Sequence, residues 1–269
     1  MSAPLLQIED LVVRYRLGHG GWLAPRREID ALAGVSLEIA PGGTLGVVGE
    51  SGSGKSTLAR AILGFVRPQS GRILWRGEAI DPTDHARMRP LRRELQVVFQ
   101  DPYGSLDPRM TAGASVAEAV SSLEGEVGRS VLEARVVQAL QDVGLDPALA
   151  RRYPHELSGG QCQRVAIARA TIVRPQLLIC DEAVSALDVS VQAQIVNLLA
   201  DTCRRHGMAL LFISHNVAVV HHLCADIAVL CRGRLVERAT REQLLTAPRD
   251  PYTRSLLAAV PELRRAAFG

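Results

Sequence analysis

The run Gly49-Glu50-Ser51-Gly52-Ser53-Gly54-Lys55-Ser56 sets glycines at both ends of a short loop and follows the last with a lysine and a serine. Glycines let the backbone curl so that successive amide N–H groups and a helix N-terminus point at one place, which suits phosphate oxygens. Lys55 adds a positive charge toward the β and γ phosphates of a nucleotide, and the Ser56 hydroxyl is an oxygen donor for Mg²⁺. A second group lies at Leu177-Leu178-Ile179-Cys180-Asp181-Glu182, an apolar strand ending in two carboxylates. Such a strand end is where a parallel sheet presents its ligands. Asp181 suits the surroundings of a Mg²⁺ ion, and Glu182 can take a proton from an attacking water or hold it in line with a γ phosphate. Either group alone would serve as an ordinary connection; together they describe a nucleotide-hydrolysing site.

The elements that must carry these groups are legible as patterns. Residues 6–15 and 35–39 alternate apolar and polar side chains, the period of strands with one buried face, and they read as an antiparallel edge. Between them, 17–29 holds three glycines, a proline and Arg26-Arg27, which predicts a loop or hairpin tip. A short apolar strand at 44–48 feeds the glycine loop, and helical spacing begins at Thr57. From 114 to 153, Val116, Ala119, Val120, Val131, Leu132, Val136, Leu140 and Val143 recur at three and four residues, which predicts a helical block. The runs 177–180 and 209–213 have the continuous apolar character of parallel strands buried on both faces. Beyond Asp226, two short strands turn at Arg232-Gly233, and helices follow near Arg241 and Tyr252.

Composition narrows the class. With 31 basic and 28 acidic residues the net charge is +3, and no basic cluster dominates, so nucleic acid is not an expected partner. Five cysteines, odd in number and without paired metal-ligand spacing, predict reduced thiols. The start Met1-Ser2-Ala3-Pro4 lacks the charge and apolar run of a signal peptide, so export is not expected. The longest apolar runs fall far short of the roughly 20 residues that span a bilayer as a helix, so a membrane role would need a partner.

Upstream of Asp181-Glu182 lies Leu157-Ser158-Gly159-Gly160-Gln161. Physically it is a helix start whose serine and glycines expose N–H groups able to hold a phosphate. With this pentapeptide at this spacing the chain resembles the ATP-binding cassette family. The resemblance implies an α/β fold: a P-loop NTPase core with a mainly parallel sheet, an N-terminal antiparallel β subdomain and an inserted α-helical subdomain. It makes 1–269 a single nucleotide-binding domain, with the helical subdomain at about 101–173 and a C-terminal extension at about 240–269. It also implies that residues 157–161 contact ATP held by an opposing subunit, in a head-to-tail pair that sandwiches two nucleotides. ATP would be held by Tyr15, stacked on adenine, and by Gly49, Glu50, Ser51, Gly52, Ser53, Gly54, Lys55, Ser56 and Thr57. His215, in Phe212-Ile213-Ser214-His215, would contact the γ phosphate. Gln100, in Val97-Val98-Phe99-Gln100, would link Mg²⁺ and the attacking water to the helical region. Ser185 and Asp188, in Ser185-Ala186-Leu187-Asp188, would cross the dimer interface beside Glu182. The chain departs from the commonest pattern at Ala183-Val184, where many cassettes have proline and threonine, and at Cys162. Neither change removes a catalytic group.

Three segments resemble the peptide and nickel importers in particular: 99–108 (Phe-Gln-Asp-Pro-Tyr-Gly-Ser-Leu-Asp-Pro), 181–190, and 250–261 (Asp-Pro-Tyr-Thr-Arg-Ser-Leu-Leu-Ala-Ala-Val-Pro). The resemblance implies an ATPase at the cytoplasmic face of a bacterial inner membrane, energising import of di- or oligopeptides or nickel. Its partners would be a second, distinct ATPase subunit, two membrane-spanning permease subunits and an extracytoplasmic substrate-binding protein. The loop 100–110 would receive a short helix from a permease subunit. Some members of that group carry a cysteine-rich tail for an iron–sulfur cluster; no cysteine follows Cys231, so no cluster is expected. Two rivals are a soluble cassette ATPase acting in DNA repair or on ribosomes, and a binding-only regulator. The first usually has tandem cassettes or a coiled-coil insertion, and the second would lack Lys55, Glu182 or His215.

Overall fold

The computed structural model describes residues 3–17, 27–81 and 83–260. In chain order the elements are β1 (Leu6–Leu17), β2 (Arg27–Ile39), β3 (Thr44–Val48), α1 (Lys55–Ile62), β4 (Ser70–Trp75), β5 (Glu78–Ile80), α2 (His85–Glu94) and β6 (Leu95–Val98). They continue with α3 (Ala112–Glu124), α4 (Arg129–Asp142), α5 (Gly159–Thr171), β7 (Leu177–Asp181), α6 (Val189–His206), β8 (Ala209–Ile213), α7 (Val217–Leu223), β9 (Asp226–Cys231), β10 (Arg234–Thr240), α8 (Arg241–Thr246) and α9 (Pro251–Ala258). The described residues within Met1–Ala40, Thr44–Met88 and Ile213–Gly269 make up one compact unit, and Pro41–Gly43 with Arg89–Phe212 the other. Among the described residues no helix is long and apolar enough to cross a membrane.

In the first unit, an antiparallel sheet of order β2-β1-β4-β5 pairs Leu6 with Ile39 on one side and with Trp75 on the other. Leu6, Ile8, Leu11 and Val13 are all buried, although strict alternation would turn residues 11 and 13 outward. A bulge resolves this: Asp10 has φ 45° and the register shifts between Ile8 and Leu11, so the apolar set returns to the inner face. In the same unit β9 pairs antiparallel with β10 and parallel with β3, placing Val48 opposite Val229. β3 is buried from Leu45 through Val48, its run Thr-Leu-Gly-Val-Val delivering the chain to the glycine loop and α1.

In the second unit the strand order is β8-β7-β6, and β6 runs parallel to β7 with Val98 opposite Cys180. Both β7 and β8 are buried along their whole length, the burial expected of parallel strands covered on both faces. Helices α3, α4 and α5 bury Val116, Val120, Leu140 and Val165. Thr111 caps α3, its side chain accepting the Ala114 N–H, and Arg135 joins the three helices through Glu124 at 2.6 Å and the Ile172 carbonyl at 3.0 Å.

The antiparallel N-terminal sheet, the parallel-rich strands and the helical insert are those expected. Three differences have physical causes. β2 begins at Arg27, well before Val35, because β1 pairs with it through Tyr15 and Ile29; of the expected loop, residues 18–26 lie outside the described residues. β4 and β5 give no strand period, since their exposed faces dominate. Helix α2 is hidden in the sequence by its polar composition and by Pro90 inside it.

Candidate functional site

The first unit carries Tyr15, residues 49–57 and His215. Lys55 opens α1 and is only 4% exposed, and its Nζ donates to the carbonyls of Gly49 and Glu50, each at 2.8 Å. The loop thus wraps around its own lysine. Gly54 stands at φ 108°, and a Cβ there would lie 2.4 Å from the Ala31 carbonyl oxygen, so only glycine fits this approach to β2. The Ser53 carbonyl accepts the Gly233 N–H at 2.9 Å, which fixes the loop against the β9–β10 turn. Ser53 Oγ is buried without a partner among the described residues, a polar group suited to an incoming acceptor or donor.

His215 is exposed and sits just past β8. Its neighbour Ser214 donates its N–H to Val47 at 3.1 Å, which brings the His215 segment beside the strand that feeds the loop. Asn216 then caps α7 by accepting the Ala218 and Val219 amides. Tyr15 is half-buried in β1 opposite Ile29.

The second unit carries Gln100, residues 157–161, Asp181, Glu182, Ser185 and Asp188. Asp181 ends β7 and is 8% exposed. Glu182 follows at φ 52°, a left-handed conformation that costs a non-glycine residue about 1 kcal/mol. Its carbonyl accepts both the N–H and the hydroxyl of Ser185, at 3.1 and 3.0 Å, which closes the turn. Asp188 caps α6, and hydrogen bonds from the Val191 amide and the Ser190 hydroxyl hold its carboxyl below the usual range. Ser158 caps α5: its side chain accepts the Gln161 N–H, while Gln161 Oε1 accepts the Ser158 N–H at 2.9 Å. The box engages the Ser158 and Gln161 amides and fixes the start of α5 at an exposed serine. A Cβ on Gly160 would fall 2.7 Å from Val191 Cγ1, so the head of α5 and the first turn of α6 are in close contact. A Cβ on Gly159 would lie 3.8 Å from Leu187 Cδ2, so residues 157–161 also lie beside the 182–188 turn in this unit. Gln100 is exposed at the bend just beyond β6. In the first unit Ser56 offers a hydroxyl; in the second, Gln100 offers an amide oxygen and Asp181 a carboxylate, each a hard oxygen donor of the kind Mg²⁺ takes.

Two residues of the site escape sequence reasoning. Gln163, fully buried, donates from Nε2 to the Ala183 carbonyl at 2.6 Å. Tyr252, 202 positions from Glu50 in the chain, accepts the Glu50 N–H at 3.0 Å. A polar residue on the apolar face of α5 is a signal for the first; nothing local announces the second.

The family model described as ABC transporter matches residues 32–185. The glutathione import ATP-binding protein GsiA of Salmonella choleraesuis is 48% identical over 96% of the chain, which spans only 41% of that relative's length. The oligopeptide transport ATP-binding protein OppF of Escherichia coli is 47% identical over 96% of the chain and 78% of its own. Among solved structures, a dimeric post-hydrolysis state of the ATP-binding cassette MJ0796 bound to ADP and Pi superposes with a TM-score of 0.77 at 27% identity, covering 88% of this chain and 98% of that one. The family match runs from Leu32 within β2, through the glycine loop and residues 157–161, to Ser185 in the turn after Glu182, and most of OppF is matched by nearly all of this chain: it belongs to the ABC transporter family.

Proposed function

We propose that the chain is the ATP-binding and ATP-hydrolysing subunit of a bacterial ABC importer for peptides, working as one nucleotide-binding domain at the cytoplasmic face of the cell membrane. The observation that carries this reading is the glycine loop wrapped around the buried Lys55, with its ammonium at the Gly49 and Glu50 carbonyls. An ammonium set at these carbonyls gains charge-assisted hydrogen bonds from phosphate oxygens entering the loop. The names of the two relatives support peptide cargo, since one is an oligopeptide transport protein and the other a glutathione import protein.

In the proposed reaction the loop amides and Lys55 hold the ATP phosphates, and Tyr15 stacks on adenine. Glu182 accepts a proton from water as its oxygen attacks the γ phosphorus, and the bond to the β–γ bridging oxygen breaks to give ADP and phosphate. His215 donates to a γ-phosphate oxygen. Mg²⁺, held by Ser56, Gln100 and Asp181, would offset phosphate charge. The Ser158-capped start of α5 faces the ATP of a second, distinct cassette, and Ser185 and Asp188 lie at the same interface. Closure of the pair around ATP and its release after hydrolysis supply the motion, because the two states bind nucleotide with different affinity. The loop after Gln100 is the proposed seat of a permease helix: Arg109 is exposed and paired with Asp107 at 2.9 Å, while Tyr103 donates to the Leu157 carbonyl at 3.1 Å. A push on this loop thereby reaches residues 157–161. An external substrate-binding protein completes the system.

The test is ATP binding and turnover by the purified chain, alone and with its permease subunits. Saturable Mg²⁺-dependent ATP binding, lost in Lys55→Met, and turnover stimulated by the permease are expected. A wild-type chain that binds no ATP at millimolar concentration overturns the proposal.

A further inference from the structure

Helix α9 reaches the glycine loop through one side chain. The Glu50 N–H donates to Tyr252 Oη at 3.0 Å, and the other end of the same peptide group, the Gly49 carbonyl, accepts from Lys55 Nζ at 2.8 Å. A single peptide group is therefore held at both ends, by a phenol from the C-terminal helix and by the buried lysine. The next carbonyl, that of Glu50, also accepts from Lys55 at 2.8 Å. All of these groups belong to the first unit.

The phenol is itself firmly placed. Asp250 caps α9 and accepts the Tyr252 N–H at 2.7 Å, and Pro251 stands at the first helical position, where its fixed φ suits a helix start. Ahead of the cap, Glu237 of β10, only 9% exposed, accepts the amides of Arg249 and Asp250 at 2.8 and 3.0 Å. Burial raises the Glu237 pKa, but the two amide hydrogen bonds outweigh it and hold the group below its ordinary value, as a carboxylate. Burial likewise raises the Tyr252 pKa, so the phenol is neutral and its oxygen is free to accept. Beside the contact, Glu50, Ser53, Cys231 and Tyr252 line a cavity of about 280 Å³.

A peptide group next to glycine turns easily, and each orientation it can adopt must be given up when a ligand orders the loop. Fixing the N–H end directs the carbonyl end at Lys55 before any nucleotide arrives. We propose that Tyr252 is a positioning residue for ATP: it orients the Gly49–Glu50 peptide group and through it the resting place of Lys55, so that α9 sets the nucleotide affinity of the loop. This rests on the reading of residues 49–57 as the ATP site.

Tyr252→Phe removes the hydroxyl and keeps the ring. In the full-length chain the dissociation constant for ATP should rise about threefold to tenfold, the range that one net hydrogen bond supports. KM should rise in parallel while kcat stays at its wild-type value, and hydrogen exchange at the Glu50 amide should accelerate. Unchanged affinity in a variant whose parent binds ATP overturns the proposal and leaves the ATP reading standing. A parent that binds no ATP overturns that reading and this proposal with it. Should the Phe variant melt early, the wild-type chain decides: a Glu50 amide that exchanges as fast as an unbonded one rules out the contact, and a protected one supports it.

Discussion

Gln163 Nε2 donates to the Ala183 carbonyl oxygen across 2.6 Å, and this bond ties helix α5 to the turn that holds Glu182. The glutamine is fully buried on the helix that Ser158 caps, so the exposed head of α5 and the Glu182 turn are joined through the protein interior. Gln163→Leu keeps the volume and deletes the donor, leaving the Ala183 carbonyl without it. The expected loss is about 1–2 kcal/mol, toward the lower end because the substitution also removes the unpartnered Gln163 Oε1. Urea unfolding measures it. In turnover assays kcat should fall while the dissociation constant for ATP holds, since the glycine loop is untouched. A variant as stable and as active as its parent would show that the bond carries no strain between the two segments.

How much of this was legible in the sequence depends on the range of each interaction. The glycine loop, the β7 carboxylates and the Ser158 cap are local: residue types within a few positions set the backbone, and the structure places them at a helix start, a strand end and a helix start. The helical block is legible because its buried faces recur at helical spacing. Asp10 is not, because a bulge that restores an inward face shows only when the partner strand is known. The Tyr252 contact is harder still. Asp250-Pro251 announces a helix start, but the destination of the tyrosine is set by how Glu237 docks the preceding turn.

The left-handed backbone of Glu182 predicts an unusual ranking of variants. At φ 52° a β-carbon crowds the backbone, a strain that active sites retain where the side chain is needed. Both Glu182→Gly and Glu182→Ala lose the carboxylate, but only the glycine removes that strain. The glycine variant should be the more stable of the two by about 1 kcal/mol, the reverse of the usual order for these residues. Turnover should fall by orders of magnitude in both, and in Glu182→Gln, with ATP binding retained in the last. Thermal unfolding of the three variants checks the ranking; an alanine variant more stable than the glycine one would mean that this turn holds no such strain.

The contact between Gly160 and Val191 makes a prediction whose sign changes with background. An alanine at position 160 would set its Cβ 2.7 Å from Val191 Cγ1, closer than carbon atoms pack. Val191 is β-branched and lies in the first turn of α6, where its rotamer is restricted, so it cannot swing aside freely. Gly160→Ala alone should therefore cost about 1–3 kcal/mol through overpacking. Val191→Ala opens the space. In that background the same Gly160→Ala change should stabilise by about 0.5–1 kcal/mol, because alanine is the better helix former. A double-mutant cycle on unfolding free energies reads the coupling directly, and additive effects would exclude the contact. Transport should follow the same pattern, since the start of α5 is the proposed donor to the opposite nucleotide: impaired by Gly160→Ala alone, and recovered in part when Val191→Ala lets the head of α5 return to its place.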